Sequence, residues 1–143
     1  MPTLQRGFTL LEMLVVIVLI SIAAGLVGFG LQQGLRAAAE RQVVGQMVEA
    51  LRSTRAKAIV SGTTEKTRFD LHALSFQAPG RPIRYWPADL HVTLHTAEHA
   101  GSAVEFYPDG SSTGGNVLVA NGSRRWRIDI GWLTGSVQSK ALP

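Results

Sequence analysis

From Met13 to Gly34 the sequence MLVVIVLISIAAGLVGFGLQQG contains no charged residue. As a helix, its apolar core from Met13 to Leu31 would span roughly 28 Å, against roughly 30 Å for the hydrocarbon layer of a bilayer. The run is apolar on every face, which suits lipid better than the surface of a globular core. A cleaved secretory signal would have a shorter apolar stretch with a small-x-small junction behind it. Here the candidate junctions after Ala23 and Ala24 fall inside the run, and a carboxylate, Glu12, stands at its head. The expectation is a retained membrane-spanning helix. A chain of 143 residues then has room for that anchor and one small domain.

Glu12 needs an explanation of its own. A carboxylate at the centre of a spanning helix costs roughly 2.5–3.5 kcal/mol on insertion scales, and less near an end. A place at the headgroup boundary would account for its tolerance but not for the residues around it. The stretch Arg6-Gly7-Phe8-Thr9-Leu10-Leu11-Glu12-Met13-Leu14 resembles the processing signal of type IV pilins and pseudopilins. That signal has a short basic leader, a glycine before the cut, a phenylalanine after it, and a glutamate at the fifth mature position. The resemblance implies a leader of residues 1–7, removed by prepilin peptidase between Gly7 and Phe8, with methylation of the new Phe8 amine. It also places the N-terminus in the cytoplasm, the helix in the bacterial inner membrane and the rest of the chain in the periplasm. The charges flanking the run do not decide orientation, because Arg6 lies on one side and Arg36 and Arg41 on the other.

The cut would leave a cation at the head of a helix and a carboxylate about one turn further on. A neighbouring subunit's amine could pair with Glu12, and in a low dielectric a paired charge is favoured over an unpaired one. Glu12 is therefore expected to set the axial register of assembly.

The helical pattern runs past the apolar block. Leu35, Ala38, Ala39, Gln42, Val43, Gln46, Met47, Ala50, Leu51, Thr54, Ala58 and Ile59 recur at spacings of three and four. Arg36 and Glu40, four apart, can pair weakly. No proline intervenes between Pro2 and Pro79, and Ser61-Gly62 is a stop signal. The spacing predicts one helix from about Phe8 to Val60. Residues 8–34 form its membrane and assembly segment, and 35–61 form an amphipathic extension with one stripe turned to its own domain. Gly25, Gly28, Gly30 and Gly34 lie in the first part; the Gly30–Gly34 spacing suits a close helix–helix contact or a flexible point for packing, and ordinary glycine tolerance in a membrane helix is the simpler account.

After Gly62 the period changes to two. Thr64–Phe69, Ala73–Phe76, Ile83–Trp86, Leu90–His95, Val104–Tyr107, Asn116–Val119, Trp126–Ile130 and Gly135–Gln138 read as short strands separated by Pro, Gly, Asp and Asn. Residues 62–143 are thus expected to form a β-rich domain. The fold class is α+β: a long N-terminal helix packed on a small, mostly antiparallel sheet. Asp109-Gly110 carries the local chemistry of a hairpin turn.

A second resemblance lies in this domain. Phe106-Tyr107-Pro108-Asp109-Gly110-Ser111-Ser112-Thr113-Gly114-Gly115, Trp126-Arg127-Ile128-Asp129-Ile130 and Trp132-Leu133-Thr134-Gly135-Ser136-Val137 are similar to the domain shared by H-type pseudopilins and their pilus relatives. Residues 62–103 carry no such resemblance. Together the two motifs imply a pilin-like fold and a minor pseudopilin of type II secretion, a structural subunit and not an enzyme, with no cofactor. The implied partners are other major and minor pseudopilins, prepilin peptidase and the inner-membrane assembly platform. The alternative is a minor pilin of a type IV pilus, with DNA uptake as a role.

Other chemistry is absent or outweighed. The chain has no cysteine, which excludes disulfides, thiolate nucleophiles and cysteine metal ligands. Its formal net charge of +4 comes from scattered residues, with Arg124, Arg125 and Arg127 as the one cluster. Those arginines and Lys140 are where nucleic acid would bind, but net charge alone argues only nonspecific attraction. Nucleic acid is not expected as a main partner. His91, His95 and His99 recur every fourth residue, yet Leu90–His95 alternates as a strand, so no metal site is expected. Gly28-Phe29-Gly30 lies inside the apolar run and does not follow a strand, so it is no dinucleotide loop. Asp109-Gly110-Ser111 is no nucleophile elbow. Asn121-Gly122-Ser123 matches a glycosylation sequon and reads more simply as a turn.

Overall fold

The computed structural model describes residues 9–143, apart from the side chains of residues 27–33 and of residue 99. The expected leader and the Gly7–Phe8 junction lie outside the described residues, as do the side chains around Gly28, Gly30 and His99. Helix α1 runs over Leu10–Ser61. The chain divides into two compact units, 1–39 and 40–143, with the boundary inside this helix.

In the first unit Thr9 caps α1. Its Oγ1 accepts the Glu12 N–H at 3.2 Å, and its carbonyl accepts the Met13 N–H at 3.1 Å. From Leu10 to Leu26 the large apolar side chains are exposed. Among the described residues no helix is long and apolar enough to cross a membrane. The described side chains of the apolar run end at Leu26, before the run itself does.

The second unit holds residues 40–61 of α1 and eight strands: β1 (Glu65–Asp70), β2 (Ser75–Gln77), β3 (Arg84–Tyr85), β4 (His91–His95), β5 (Ala103–Phe106), β6 (Gly115–Asn121), β7 (Arg124–Ile130) and β8 (Val137–Leu142). Each expected strand is present. The last one starts two residues later than predicted and runs four further, to Leu142. All pairings are antiparallel, in two four-stranded sheets ordered β3-β2-β1-β5 and β4-β6-β7-β8. The fold is α+β, as the periodicity predicts.

One core joins the helix to both sheets. Val43, Val44, Met47, Val48, Leu51 and Ala58 face Phe69, Phe76, Val104 and Phe106 from the first sheet and Val117, Val119, Ile128, Ile130 and Val137 from the second. The buried stripe is displaced from the expected one. It takes in Val44 and Val48 and leaves Gln42 and Ile59 exposed. Phe69, Phe76 and Trp86 stack in a row, with ring centroids 6.0 and 6.2 Å apart. At the helix–sheet contact the fully buried hydroxyls of Thr54 and Thr67 lie 2.7 Å apart, and Thr54 also donates to the Ala50 carbonyl. Each buried hydroxyl is thereby satisfied, which removes most of the cost of burying it.

Candidate functional site

The motif residues of the C-terminal third converge on one structure. Strand β5 belongs to the first sheet and β6 to the second, and Asp109-Gly110 lies between them. It forms a local turn, with Gly110 N–H on the Tyr107 carbonyl and Tyr107 N–H on the Ser111 carbonyl, both at 2.9 Å. Residues beyond Gly114 then join the second sheet. The expected hairpin is present locally, with Phe106 and Ser112 in an antiparallel bridge and Thr113 N–H on the Glu105 carbonyl at 3.0 Å; beyond it the chain crosses to β6, which pairs with β4 and β7.

Two loops, 107–114 and 131–136, are zipped together along this crossover. Ser112 N–H donates to the Trp132 carbonyl at 2.8 Å and Ser112 Oγ to the Gly131 carbonyl at 3.0 Å. From the helix, Arg55 Nε donates to the carbonyls of Gly110 at 3.0 Å and Thr134 at 3.1 Å, one in each loop. Arg52 Nη2 donates to the Val137 carbonyl at 2.8 Å where β8 begins. Gly135 sits at the closest approach: a Cβ there would lie 2.1 Å from the Gly110 oxygen. The Ser/Gly-rich composition of the motif therefore serves backbone-to-backbone packing. Arg52 and Arg55 were not singled out in the sequence, and a charged face on an amphipathic helix gave no signal that they reach carbonyls.

At the other end of the helical segment, Glu40 is buried, with 4% of its surface exposed. Its Oε1 accepts Asn121 Nδ2 at 2.7 Å and Arg124 Nη2 at 2.8 Å. Asn121 Nδ2 also reaches Asp89 Oδ2 at 3.2 Å. The expected Arg36–Glu40 pair is not formed, since Glu40 turns to Arg124. Asn121 and Arg124 flank the turn between β6 and β7, so the sequon reads as a turn, as expected.

The four basic residues of the C-terminal stretch are not one patch. Strand alternation sends Arg124 to the Glu40 side, while Arg125, Arg127 and Lys140 share the opposite face of the second sheet. Arg127 Nε and Lys140 Nζ both flank Asp129, at 2.7 and 3.1 Å. Burial works against the Asp129 charge, but hydrogen bonds from Lys140 and Arg127 outweigh it and hold the carboxyl below its usual range. Arg125 Nη2 donates to the Pro143 oxygen at 2.7 Å. Arg127 and Lys140 thus share one carboxylate, and Arg125 meets only a backbone oxygen. His91 and His95 are exposed on β4, and among the described residues no group of acidic, histidine or cysteine side chains could hold a metal.

Glu12 lies in the first turn of α1 and is exposed. Among the described residues its carboxylate has no hydrogen-bond or ion-pair partner. Its backbone N–H on Thr9 completes half of a Thr-x-x-Glu capping box, and an acidic residue in a first turn also suits the helix dipole. Thr9 is the residue that the sequence reading missed here, although the capping spacing was visible.

Comparison with known proteins follows the same two regions. Residues 3–28 match the prokaryotic N-terminal methylation motif. Residues 43–134 match the family of type II transport protein GspH, and so include the stretch 62–103 that carried no resemblance. Type II secretion system protein H of Xanthomonas campestris is 37% identical over 142 residues, covering 96% of this chain and 84% of that one. The structure of the minor pseudopilin EpsH from the type 2 secretion system of Vibrio cholerae shares the fold at 14% identity. Its TM-score is 0.55 over 71% of this chain and 95% of that one. A methylation motif at the head of the chain and a GspH domain behind it leave one family: the chain belongs to the GspH family, the H-type pseudopilins of type II secretion.

Proposed function

We propose that this protein is a minor structural subunit of a periplasmic pseudopilus that drives protein export, and that it acts by assembly and not by catalysis. The observation that carries the reading is the joint occurrence of the methylation motif and the GspH domain in one chain. In this reading residues 1–7 are the leader and Phe8 is the mature, methylated N-terminus. The apolar run lies in the inner membrane, and residues 62–143 form the periplasmic domain. Prepilin peptidase, the assembly platform and the other pseudopilins are the partners. The pairing of Arg124 with the buried Glu40, which takes it out of the basic cluster, supports a protein-assembly role over a nucleic-acid one.

Processing is tested by mass spectrometry of the protein from cells containing an active prepilin peptidase. The expected N-terminus is Phe8 bearing one methyl group. A chain that retains Met1 or Pro2 would refute the reading. Gly7→Val should keep the leader attached, because a β-branched side chain crowds the scissile bond.

The role of Glu12 is separable from its capping role. Glu12→Leu should leave processing intact and make membrane insertion no less favourable, since leucine is preferred there over a carboxylate. Crosslinking to neighbouring pseudopilins should drop and secretion should fail. Thr9→Ala removes the cap at a cost of roughly 1 kcal/mol but keeps the carboxylate, so it should still assemble. Equal loss in both variants would assign the effect to the helix start; wild-type behaviour of Glu12→Leu would remove the charge pair from the mechanism.

A further inference from the structure

Trp132 and Leu133 are 68% and 66% exposed, at the tip of the loop between β7 and β8. The strand ends that flank the loop, Ile130 and Val137, are both buried in the core. Hydrogen bonds hold the loop backbone that carries these two side chains. Gly131 N–H is held by the Ser136 carbonyl and Gly135 N–H by the Gly131 carbonyl. The Trp132 carbonyl is held by Ser112, and the Thr134 carbonyl by Arg55. A Cβ on Gly114 would come within 2.9 Å of the Trp132 Cβ, so the neighbouring loop forms a wall against the tryptophan's base. The two apolar side chains are displayed by a fixed backbone. Tryptophan is enriched among the few residues that dominate protein–protein affinity, and a pre-formed loop avoids the ordering cost of binding.

The neighbouring loop carries a carboxylate. Asp109, on the loop zipped to this one, is exposed and makes no ion pair among the described residues. The Ser111 hydroxyl and backbone N–H hold its carboxyl below the usual range. A partner surface that is apolar with a basic residue at its edge would complement this tip. A second copy meeting it through the same patch would bring two Asp109 carboxylates toward one another, since a two-fold contact uses one surface twice.

The geometry points to Trp132 and Leu133 as the anchor pair by which this subunit docks onto a different, neighbouring pseudopilin through an apolar pocket with a basic edge, Asp109 facing that edge. This rests on the pseudopilus reading above and names the surface used within it. Arg55 and Ser112 are the positioning residues of the loop.

The test uses the full chain in cells that make the whole secretion system. Because the chain has no cysteine, Leu133→Cys introduces a single thiol, which is labelled with a maleimide–benzophenone reagent and photolysed. The expected product is a covalent adduct with another pseudopilin, identified by peptide mass spectrometry. Adding Trp132→Ala should cut its yield about tenfold or more, the scale of an anchor residue. Trp132→Phe should restore most of it, and Asp109→Lys should lower it. The exposed ring is dispensable to the fold, so urea unfolding of the Trp132 variants should match the parent. An adduct only with a second copy overturns the proposal. So does the absence of any adduct from a subunit that still co-isolates with other pseudopilins, and that result leaves the pseudopilus reading intact. Failure of the unmodified protein to co-isolate with any pseudopilin removes both.

Discussion

Gly135→Ala should destabilise the globular unit by on the order of 3–5 kcal/mol, from overpacking and from a left-handed backbone carrying a Cβ. Gly135 has φ +59°, and its added methyl would sit 2.1 Å from the Gly110 oxygen and 2.8 Å from Arg55 Nε. A backbone oxygen cannot swing aside as a side-chain end can, so one of the two loops must move. Moving either one breaks an Arg55 bond, because that guanidinium holds a carbonyl on each. Gly122→Ala is the matched control: its φ is +56°, yet nothing lies within 4 Å of the added Cβ. It should cost only the conformational part, roughly 1 kcal/mol. Urea unfolding of the full chain in detergent, followed by tryptophan fluorescence, reads both, since Trp86, Trp126 and Trp132 all lie in residues 40–143. Similar losses in the two variants would show that φ, and not the loop contact, sets the cost at Gly135.

The Gly135 contact also marks the limit of what a sequence reading could reach. Eight strands were legible because alternation and turn residues are local signals. Their division into two sheets was not, since alternation says which face is buried and not which strand lies alongside. Asp109-Gly110 reads as a hairpin and does close one locally, but no local signal says that Gly115 goes on into a different sheet from Phe106. The helical stripe was found but placed off centre: a 3.6-residue period leaves two adjacent faces open, and burial chose Val44 and Val48 over Gln42 and Ile59. The N-terminal motif was legible in full because its elements occupy consecutive positions. The site residues that contact distant chain were not, and Glu40, with a partner 84 residues away, is the clearest case.

Arg124→Ala should cost about 2 kcal/mol. Breaking a buried ion pair costs roughly 3–5 kcal/mol when one charge is stranded, and partial exposure of the partner lowers this. The Glu40 side chain is 5% exposed and that of Arg124 is 41% exposed, so the two halves of the pair are unequal. Removing Arg124 leaves a carboxylate in the interior with one amide, Asn121, to hold it. Its Oε2 already lacks a partner, so there is no second bond to fall back on. Removing the charge from Glu40 instead leaves Arg124 able to turn to water. Glu40→Gln should therefore cost less than about 1 kcal/mol, the worth of one neutral hydrogen bond. In the double variant Glu40→Gln/Arg124→Ala no buried charge remains, and part of the Arg124→Ala loss should return. The same fluorescence-detected urea titration measures all three proteins. If Glu40→Gln proves as costly as Arg124→Ala, or if the double variant is additive, then Glu40 is not a stranded charge. The contact would then act through shape alone. The expected asymmetry has a consequence for assembly. Glu40 is the first residue of the globular unit, and its bonds to the β6–β7 turn fix that end of the helical segment against the second sheet. Weakening them should loosen the domain at the point where the helix enters it, while the zipped loops at the opposite end, held by Arg52 and Arg55, keep their geometry.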